Sequence, residues 1–273
     1  LPRLLVGLLV GAALATAGAV MQGLFGNPLA DPGIIGISAG AATGAVFSIG
    51  LGLAAHSVFL MPLTAFAGAA LAITCTVFLS MRQGKIPVIT LLLSGVAVSM
   101  LLGAITSGML TFLSQQKLQE YLFWMVGGLD YRRWEHVGLA FYPITLGIIA
   151  LSLLSRQLNI LALGETEAKA VGMNVMPMRL LLLAIASLIT AAAVCVSGNI
   201  GFVGLVIPHI MRLLVGPDHR RLIPTAALGG AIFLIICDTL GRSIFAPAEL
   251  RVGIMTALLG TPYFLHLLRK LNR

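Results

Sequence analysis

The sequence predicts an all-α, polytopic membrane protein, because it is apolar, poor in charge and built from long apolar runs. Of its 273 residues, 59% are hydrophobic and 10% are charged, and the mean hydropathy is +1.03. A soluble domain carries about 25% charged residues, whereas a spanning helix needs roughly 20 mostly apolar residues. The runs do not alternate and exceed the ~10 residues of an outer-membrane barrel strand. We therefore expect a helical bundle in lipid.

Nine apolar segments follow one another along the chain, and we expect each to cross the membrane once. Their approximate spans are 4–25, 34–53, 58–81, 88–113, 137–155, 177–197, 200–216, 222–240 and 252–268. Small residues recur four apart, as in Gly7 with Gly11 and Gly40 with Gly44. Such pairs allow helix backbones to approach closely in lipid, so the bundle is expected to be tightly packed.

Basic residues predict the orientation of these segments. One set of loops and ends carries eleven Lys and Arg and the other six, and the positive-inside rule assigns the richer set to the cytoplasm. The richer set is Arg82, Lys85, Arg156, Lys169, Arg179, Arg212, Arg220, Arg221, Arg269, Lys270 and Arg273; the poorer set is Arg3, Lys117, Arg132, Arg133, Arg242 and Arg251. The visible N-terminus then lies outside, and the chain starts without methionine. We therefore expect a tenth helix before Leu1.

Motifs of enzymes and metal sites are missing from the sequence or stand in the wrong context. Its three cysteines are far apart, without metal or redox spacing. No P-loop is present, so the chain does not bind ATP through a Walker A sequence. "GISAG" at 36–40 matches G-x-S-x-G, which requires a strand, a sharp turn and a helix, whereas Ser38 lies in a predicted helix. We expect no catalytic residue, no metal ligand and no cofactor bound by this chain.

Two further features have structural interpretations. "FWMVGGLDYRRW" sets aromatics beside arginines, and an interfacial aromatic belt explains it better than nucleic-acid stacking. Asp238 is the one acid inside an apolar run. An ionisable residue within the membrane is a functional candidate by default, but we expect this carboxylate to reach the interface beside Arg242.

A short amphipathic helix is predicted from Gly164 to Met173, in "LNILALGETEAKAVGM", on the cytoplasmic side. Glu165 and Glu167 fall in its first turn, where the helix dipole favours acids, and Glu165 with Lys169 forms an i,i+4 pair. Gly172 is placed for a C-cap, and Ala168 shares a face with Val171. Two interpretations remain open: a solvated loop helix, or a docking helix for a cytoplasmic protein that supplies energy.

Several long stretches carry a family resemblance over nearly the whole chain. They are "GAVMQGLFGNPLADPGIIGISAGA", "LSGVAVSMLLGA", "NILALGETEAKAVGM", "SGNIGFVGLVIPHIMRLLVGPDHRRLIPTAALGGA", "DTLGRS" and "PAELRVGIMTALLGTPYFLHLL". The sequence resembles the membrane subunits of bacterial ATP-driven importers for vitamin B12, ferric siderophores and haem. The resemblance implies one transmembrane permease domain, 1–273, in the inner (cytoplasmic) membrane. It also implies a homodimer, two cytoplasmic ATPase subunits that hold ATP and Mg, and an external substrate-binding protein.

The resemblance also implies roles for individual residues of this sequence. The coupling positions, which pass ATPase closure to the membrane, are Leu161, Leu163, Gly164, Glu165, Ala168, Lys169, Val171 and Gly172. A cytoplasmic gate matches Asn27 and Leu29, where Pro28 and Pro32 force a non-helical link. The positions that dock the binding protein are Arg3 and Arg242, with Arg251 as an added cation where the family usually has Pro. The pathway candidates on 88–113 are Ser94, Ser99, Thr106 and Ser107.

The expected function is therefore a non-enzymatic permease for an iron complex, haem or a ferric siderophore, driven by ATP hydrolysed in a partner. A cobalamin permease of the same family is the alternative. An ATP-independent secondary carrier or an intramembrane enzyme would require a buried charge relay or a catalytic cluster. For these the sequence offers Asp238 and scattered serines.

Overall fold

The computed structural model describes residues 1–53, 56–81, 86–244 and 247–271, and every regular element in these ranges is helical. The helices are α1 (Pro2–Phe25), α2 (Ile37–Gly50), α3 (Leu60–Ser80), α4 (Val88–Leu110), α5 (Gln115–Val126), α6 (Trp134–Leu153), α7 (Ser155–Ala162), α8 (Glu165–Ala170), α9 (Val175–Ser197), α10 (Val203–Val215), α11 (His219–Ser243) and α12 (Val252–Leu271). A 3-10 turn, Pro32–Ile35, precedes α2. The all-α prediction is confirmed.

Each of the nine predicted segments contains a helix, but two of the helices, α2 and α10, are shorter than a full span. Within the described ranges, α1, α3, α4, α6, α9 and α11 are long and apolar enough to cross a membrane. The apolar stretches of α2, α10 and α12 cover Ile37–Gly50, Val203–Val215 and Val252–Leu265. Helix α2 starts late because the chain after α1 stays non-helical through Asp31. The prolines there disfavour helix at the residue before each of them.

Helix α1 is the centre of the bundle. Its apolar window is 72% buried, and α6, α9, α10 and α11 pack around it. Gly11 lies directly against the backbone of Gly230 in α11, and Gly40 of α2 lies against Gly68 of α3, so a side chain at either site would collide with the facing helix. The predicted close packing through small residues is confirmed at both sites.

The two ends of α1 define the two ends of the molecule. Arg3 at its start contacts Asp238 near the end of α11, and Gly23 near its end contacts His219 at the start of α11. The charge distribution predicts that the Arg3 end is the outer end. Three residues used in that prediction, Arg82, Lys85 and Arg273, lie outside the described ranges.

Candidate functional site

The predicted coupling positions, 161–172, surround a six-residue helix at the cytoplasmic end. Helix α8 starts after Gly164 and ends at Ala170, earlier than the Gly164–Met173 helix that the sequence predicts. Gly172 has a positive φ of 79°, which leaves the right-handed helical region and ends the turn. We call residues 155–172, which include α7 and α8, the coupling segment.

The coupling segment combines one buried anchor with an exposed apolar and charged surface. Ala168 is fully buried, whereas Leu163 and Val171 are 71% and 67% exposed. The prediction that Ala168 and Val171 share one face is therefore wrong, because α8 ends before Val171 completes the turn. Lys169 donates to Glu165 at 2.7 Å, as the i,i+4 spacing predicts. The exposed surface is available to a partner.

A polar cluster that the sequence analysis missed ties this segment to the bundle. Asn159 of α7 donates to Asp218 at 2.6 Å and accepts from the backbone amide of His219 at 2.9 Å. Its Oδ1 also lies 2.7 Å from Nδ1 of His219. We call Asn159, Asp218 and His219 the Asn159 cluster. The side chains in "LNILA" and "GPDHRR" were the available signal, but their pairing depends on the fold.

Asp218 orders the start of α11. Its carboxylate accepts from the backbone amide of Arg220 at 3.0 Å, as an N-cap residue does. The hydrogen bonds from Arg220 and from the side chain of Asn159 lower the pKa of this exposed carboxyl below its ordinary value. Because it is charged at neutral pH, Asp218 remains an acceptor for α7 and α11 together.

The cluster also reaches the predicted gate. A Cβ added to Gly23 of α1 would lie 2.6 Å from Nε2 of His219, so the imidazole packs directly on the α1 backbone. A cavity of about 500 Å³ next to it is lined by Asn27, Leu163, Arg212 and the cluster, among others. One cavity therefore contains a predicted gate residue and a predicted coupling residue.

The gate positions lie in a non-helical loop, as the prolines predict. Asn27 is exposed and its Oδ1 accepts from the amide of Leu29 at 2.9 Å, which closes a tight turn. Leu29 is half-buried. Gly26 before them has a φ of 58°, a left-handed conformation that glycine adopts at little cost.

The outer end carries a network of paired charges. Arg3 donates to Asp238 through Nη2 at 2.8 Å and Nε at 3.0 Å, and through Nη1 to Glu249 at 2.9 Å. Nη2 also lies 3.3 Å from Asp130. The Asp238 side chain is 7% exposed, and Arg242 lies 3.4 Å away. Asp238 lies beside Arg242 as expected, but this carboxylate is buried and its closest partner is Arg3.

Arg251 completes this outer ion network, which consists of Arg3, Asp130, Asp238, Arg242, Glu249 and Arg251. Its guanidinium donates to the carbonyl of Phe123 at 2.7 Å, stacks 4.6 Å above that ring and lies 3.8 Å from Asp130. The structure brings all three predicted docking arginines into one cluster. It also shows that each already has a partner within the chain.

The four predicted pathway residues do not share one environment. Ser107 is exposed on α4, and Ser94 and Ser99 are half-buried. Thr106 is buried, and its hydroxyl lies 2.9 Å from that of Thr43 in α2. Thr106 therefore joins α4 to α2 instead of facing the open side of α4. That open side is large, since only 17% of the apolar window of α4 is buried inside the protein.

No three His, Cys, Asp or Glu side chains within the described ranges lie close enough together to hold a metal ion. Among the described residues, the ion pair of Arg3 with Asp238 joins different helices at the outer end, and at the cytoplasmic end the pair of Glu165 with Lys169 lies within the coupling segment.

Comparison with known proteins agrees with this architecture. Residues 1–270 match the model of the FecCD transport family. The chain is 47% identical over 271 residues to the cobalamin import system permease BtuC of Halobacterium salinarum, covering 98% of this chain and 72% of that protein. It is 46% identical over 275 residues to the hemin transport system permease HmuU of Yersinia pestis, covering 98% and 81%.

A solved structure has the same fold over nearly the whole chain. It is a metal-chelate type ABC transporter in an inward-facing conformation, with a TM-score of 0.92, 36% identity, and coverage of 98% of this chain and 85% of that chain. The family match, the relatives and the shared fold lead to one conclusion: this chain belongs to the FecCD transport family of multi-pass inner-membrane permeases.

Proposed function

We propose that this chain forms the membrane pathway of an importer for a bulky metal chelate, driven by ATP hydrolysed in a separate subunit. The observation that carries the proposal is the coupling segment, whose residues Leu163 and Val171 are exposed. The Asn159 cluster ties this segment to α11, and the two line one cavity with the gate residue Asn27. An element that binds a partner on one side and lies next to the gate on the other is suited to transmit a conformational change.

The cargo class is a corrin, haem or ferric siderophore. The relatives named for cobalamin and for hemin are 47% and 46% identical to this chain, so similarity supports the two equally and does not favour the iron complex. The open face of α4 carries apolar and small residues with Ser107, which fits a large cargo that needs no fixed polar site.

The assembly we infer has two copies of this chain, two ATPase subunits and an external binding protein. Helix α4 is the least buried of the six candidate spans among the described residues, with 17% of its apolar window buried, and we assign its exposed face to the pathway between the two copies. The coupling segment is assigned to the ATPase, and ATP and Mg to that subunit. The chain itself contributes no catalytic chemistry and no cofactor.

Docking of the binding protein is assigned to the outer ion network. Arg242 is 45% exposed at its side chain, whereas Arg3 and Arg251 are 26% and 25% exposed. Acids of a docking protein would meet Arg242 most readily and would have to displace internal partners at Arg3. Such exchange favours orientation and association rate more than affinity.

Reconstitution tests the proposal. The full-length protein is purified with its ATPase and binding protein, placed in proteoliposomes and offered cobalamin, haem and ferric siderophores. We expect uptake of one chelate class that requires ATP, the ATPase and the binding protein together. Transport that is indifferent to ATP would instead favour a secondary carrier and overturn the assignment of the coupling segment.

A further inference from the structure

A small cavity at the outer end is separate from both the coupling segment and the outer ion network. Its volume is about 150 Å³, and its lining residues are Ser57, Val58, Met61, Pro62, Trp124, Arg132, His136 and Cys195. One water needs roughly 10–15 Å³ of such space, so the cavity has room for several waters or for a small ion with part of its shell. No acidic residue is among the lining residues.

Arg132 brings a partly buried charge to this cavity, and Asp130 and Arg251 of the outer ion network act on it electrostatically with opposite sign. Its Nη2 donates to the carbonyl of Gly128 at 3.0 Å, but its Nε is buried and has no hydrogen-bond partner among the described residues. The nearest acid in sequence, Asp130, forms its ion pairs with Arg3 and Arg251 and provides no acceptor to the Nε of Arg132. Burial lowers the pKa of Arg132 to about 10, so the guanidinium is charged at neutral pH. A buried charged donor without an acceptor is costly.

The other polar groups in the lining are donors as well. Nδ1 of His136 accepts from the backbone amide of Arg133 at 3.2 Å, so the ring carries its proton on Nε2. Oγ of Ser57 accepts from the amide of Phe59 at 3.3 Å, which leaves its hydroxyl proton to donate. Cys195 is bonded to the carbonyl of Ala192. A cationic side chain and two neutral donors therefore lie around a space that no carboxylate lines.

We propose that this cavity binds the phosphate group of a small anion, with Arg132 as its charge partner and Ser57 and His136 as further donors. Phosphate suits the site because arginine pairs with its oxygens through charge-assisted hydrogen bonds. The group can come from free inorganic phosphate or from the headgroup of an outer-leaflet lipid. Binding would satisfy the buried Nε and connect the α5–α6 link to α3 and α9.

Trp124 supplies the measurement, because it lines the cavity and is 8% exposed. Its quenching by iodide is measured on the full-length protein in detergent, by difference against a Trp124→Phe variant, with acrylamide as the neutral quencher. We expect inorganic phosphate to protect Trp124 from iodide and from acrylamide, because a bound phosphate occupies the space that either quencher would enter. In Arg132→Gln the protection should require roughly tenfold or more phosphate, the loss expected for a charged hydrogen bond.

Matched variants and a lipid arm sharpen the test. Arg133→Gln removes a charge from an exposed neighbour that does not line the cavity. Phosphate should protect Trp124 in this variant as it does in the natural protein. If Arg132→Gln does not fold, Ser57→Ala replaces it in the comparison, and we expect a smaller increase in the phosphate concentration that protects Trp124. Protection by phosphatidylglycerol in mixed micelles but not by free phosphate identifies a lipid headgroup as the source. If neither phosphate nor the lipid alters the quenching of Trp124, water fills the cavity and the proposal is overturned. The proposal is also overturned if phosphate protects Trp124 equally well in Arg132→Gln.

Discussion

The two ends of the molecule use charge in opposite ways. In the outer ion network the Asp238 side chain is 7% exposed and that of Arg3 26%, and the pair joins residues far apart in the chain. In the coupling segment Glu165 and Lys169 are 41% and 55% exposed and lie one helical turn apart. A buried pair is costly to break, whereas an exposed pair contributes little. The outer end is held together by a buried ion pair, whereas the ion pair of the coupling segment is exposed.

This difference separates two kinds of docking. At the cytoplasmic end, Leu163 and Val171 offer apolar surface without losing an internal contact. At the outer end, the predicted docking arginines have internal partners, so an acidic binding protein must exchange them. Substitution of Leu163 or Val171 is therefore expected to change stability little and to reduce coupling to the ATPase. Substitution of a buried member of the outer ion network is expected to reduce stability instead.

The largest effect is expected from breaking the buried outer pair. Asp238→Ala leaves Arg3 without its closest partner, and removing one member of a buried pair costs about 3–5 kcal/mol of stability. Thermal unfolding in detergent, read by size exclusion, measures this loss. Glu249→Gln is the control, since Glu249 is 49% exposed and its pair contributes about 1 kcal/mol or less. Equal losses in the two variants would contradict the contrast between buried and exposed charge.

Removing Asn159 should produce a smaller loss of stability and a large loss of coupling. Asn159→Ala removes the contacts to Asp218 and His219 and leaves the backbone amide of the buried His219 without its acceptor, which costs about 1–3 kcal/mol. We expect ATPase activity of the assembled complex to persist while chelate transported per ATP falls. Arg156→Ala, on an exposed position of the same helix, should leave that ratio unchanged. The same ratio in both variants would show that the Asn159 cluster plays no part in transmission.

Gly164→Ala tests the start of α8. Gly164 has φ 128° and ψ 163°, a region that other residues occupy at a cost of about 1–3 kcal/mol. We expect weaker binding of the ATPase subunit, measured by co-purification, because the substitution distorts the turn between α7 and α8. Gly26→Ala, at the open left-handed position before the gate, should leave ATPase binding intact.

The smallest effect is expected at the exposed pair. Lys169→Ala should change stability by about 0.2–0.5 kcal/mol, the contribution of an exposed i,i+4 pair. Thermal unfolding in the absence of the ATPase measures it, and added salt should reduce the difference further. A loss as large as that of Asp238→Ala would mean that the coupling segment is structural.

The sequence predicts well what depends on local pattern. Long apolar runs indicate nine helical segments, and the prolines in "FGNPLADPG" indicate the non-helical gate loop. The spacing of Glu165 and Lys169 predicts their ion pair. Each of these follows from residues within a few turns of one another.

What the sequence does not predict depends on packing between distant elements. Helix α5 lacks a long apolar run, so it escapes a search for spans. Arg3 and Asp238 are 235 residues apart, and the contacts of Asn159 with residues of α11 join elements about sixty residues apart. Thr106 looks like a pathway residue on a helix considered by itself, and only the position of α2 shows that its hydroxyl faces Thr43.

The link between the coupling segment and the gate is tested most directly by measuring the accessibility of the gate while the ATPase hydrolyses ATP. A cysteine is placed at Asn27 in a full-length protein whose native cysteines are replaced, and its labelling is followed in the complete complex before and after ATP is added. We expect ATP to change the labelling rate of this cysteine in the natural background and not in Asn159→Ala. An ATP response that persists in Asn159→Ala, or that is missing from both, would contradict the proposed link between the coupling segment and the gate.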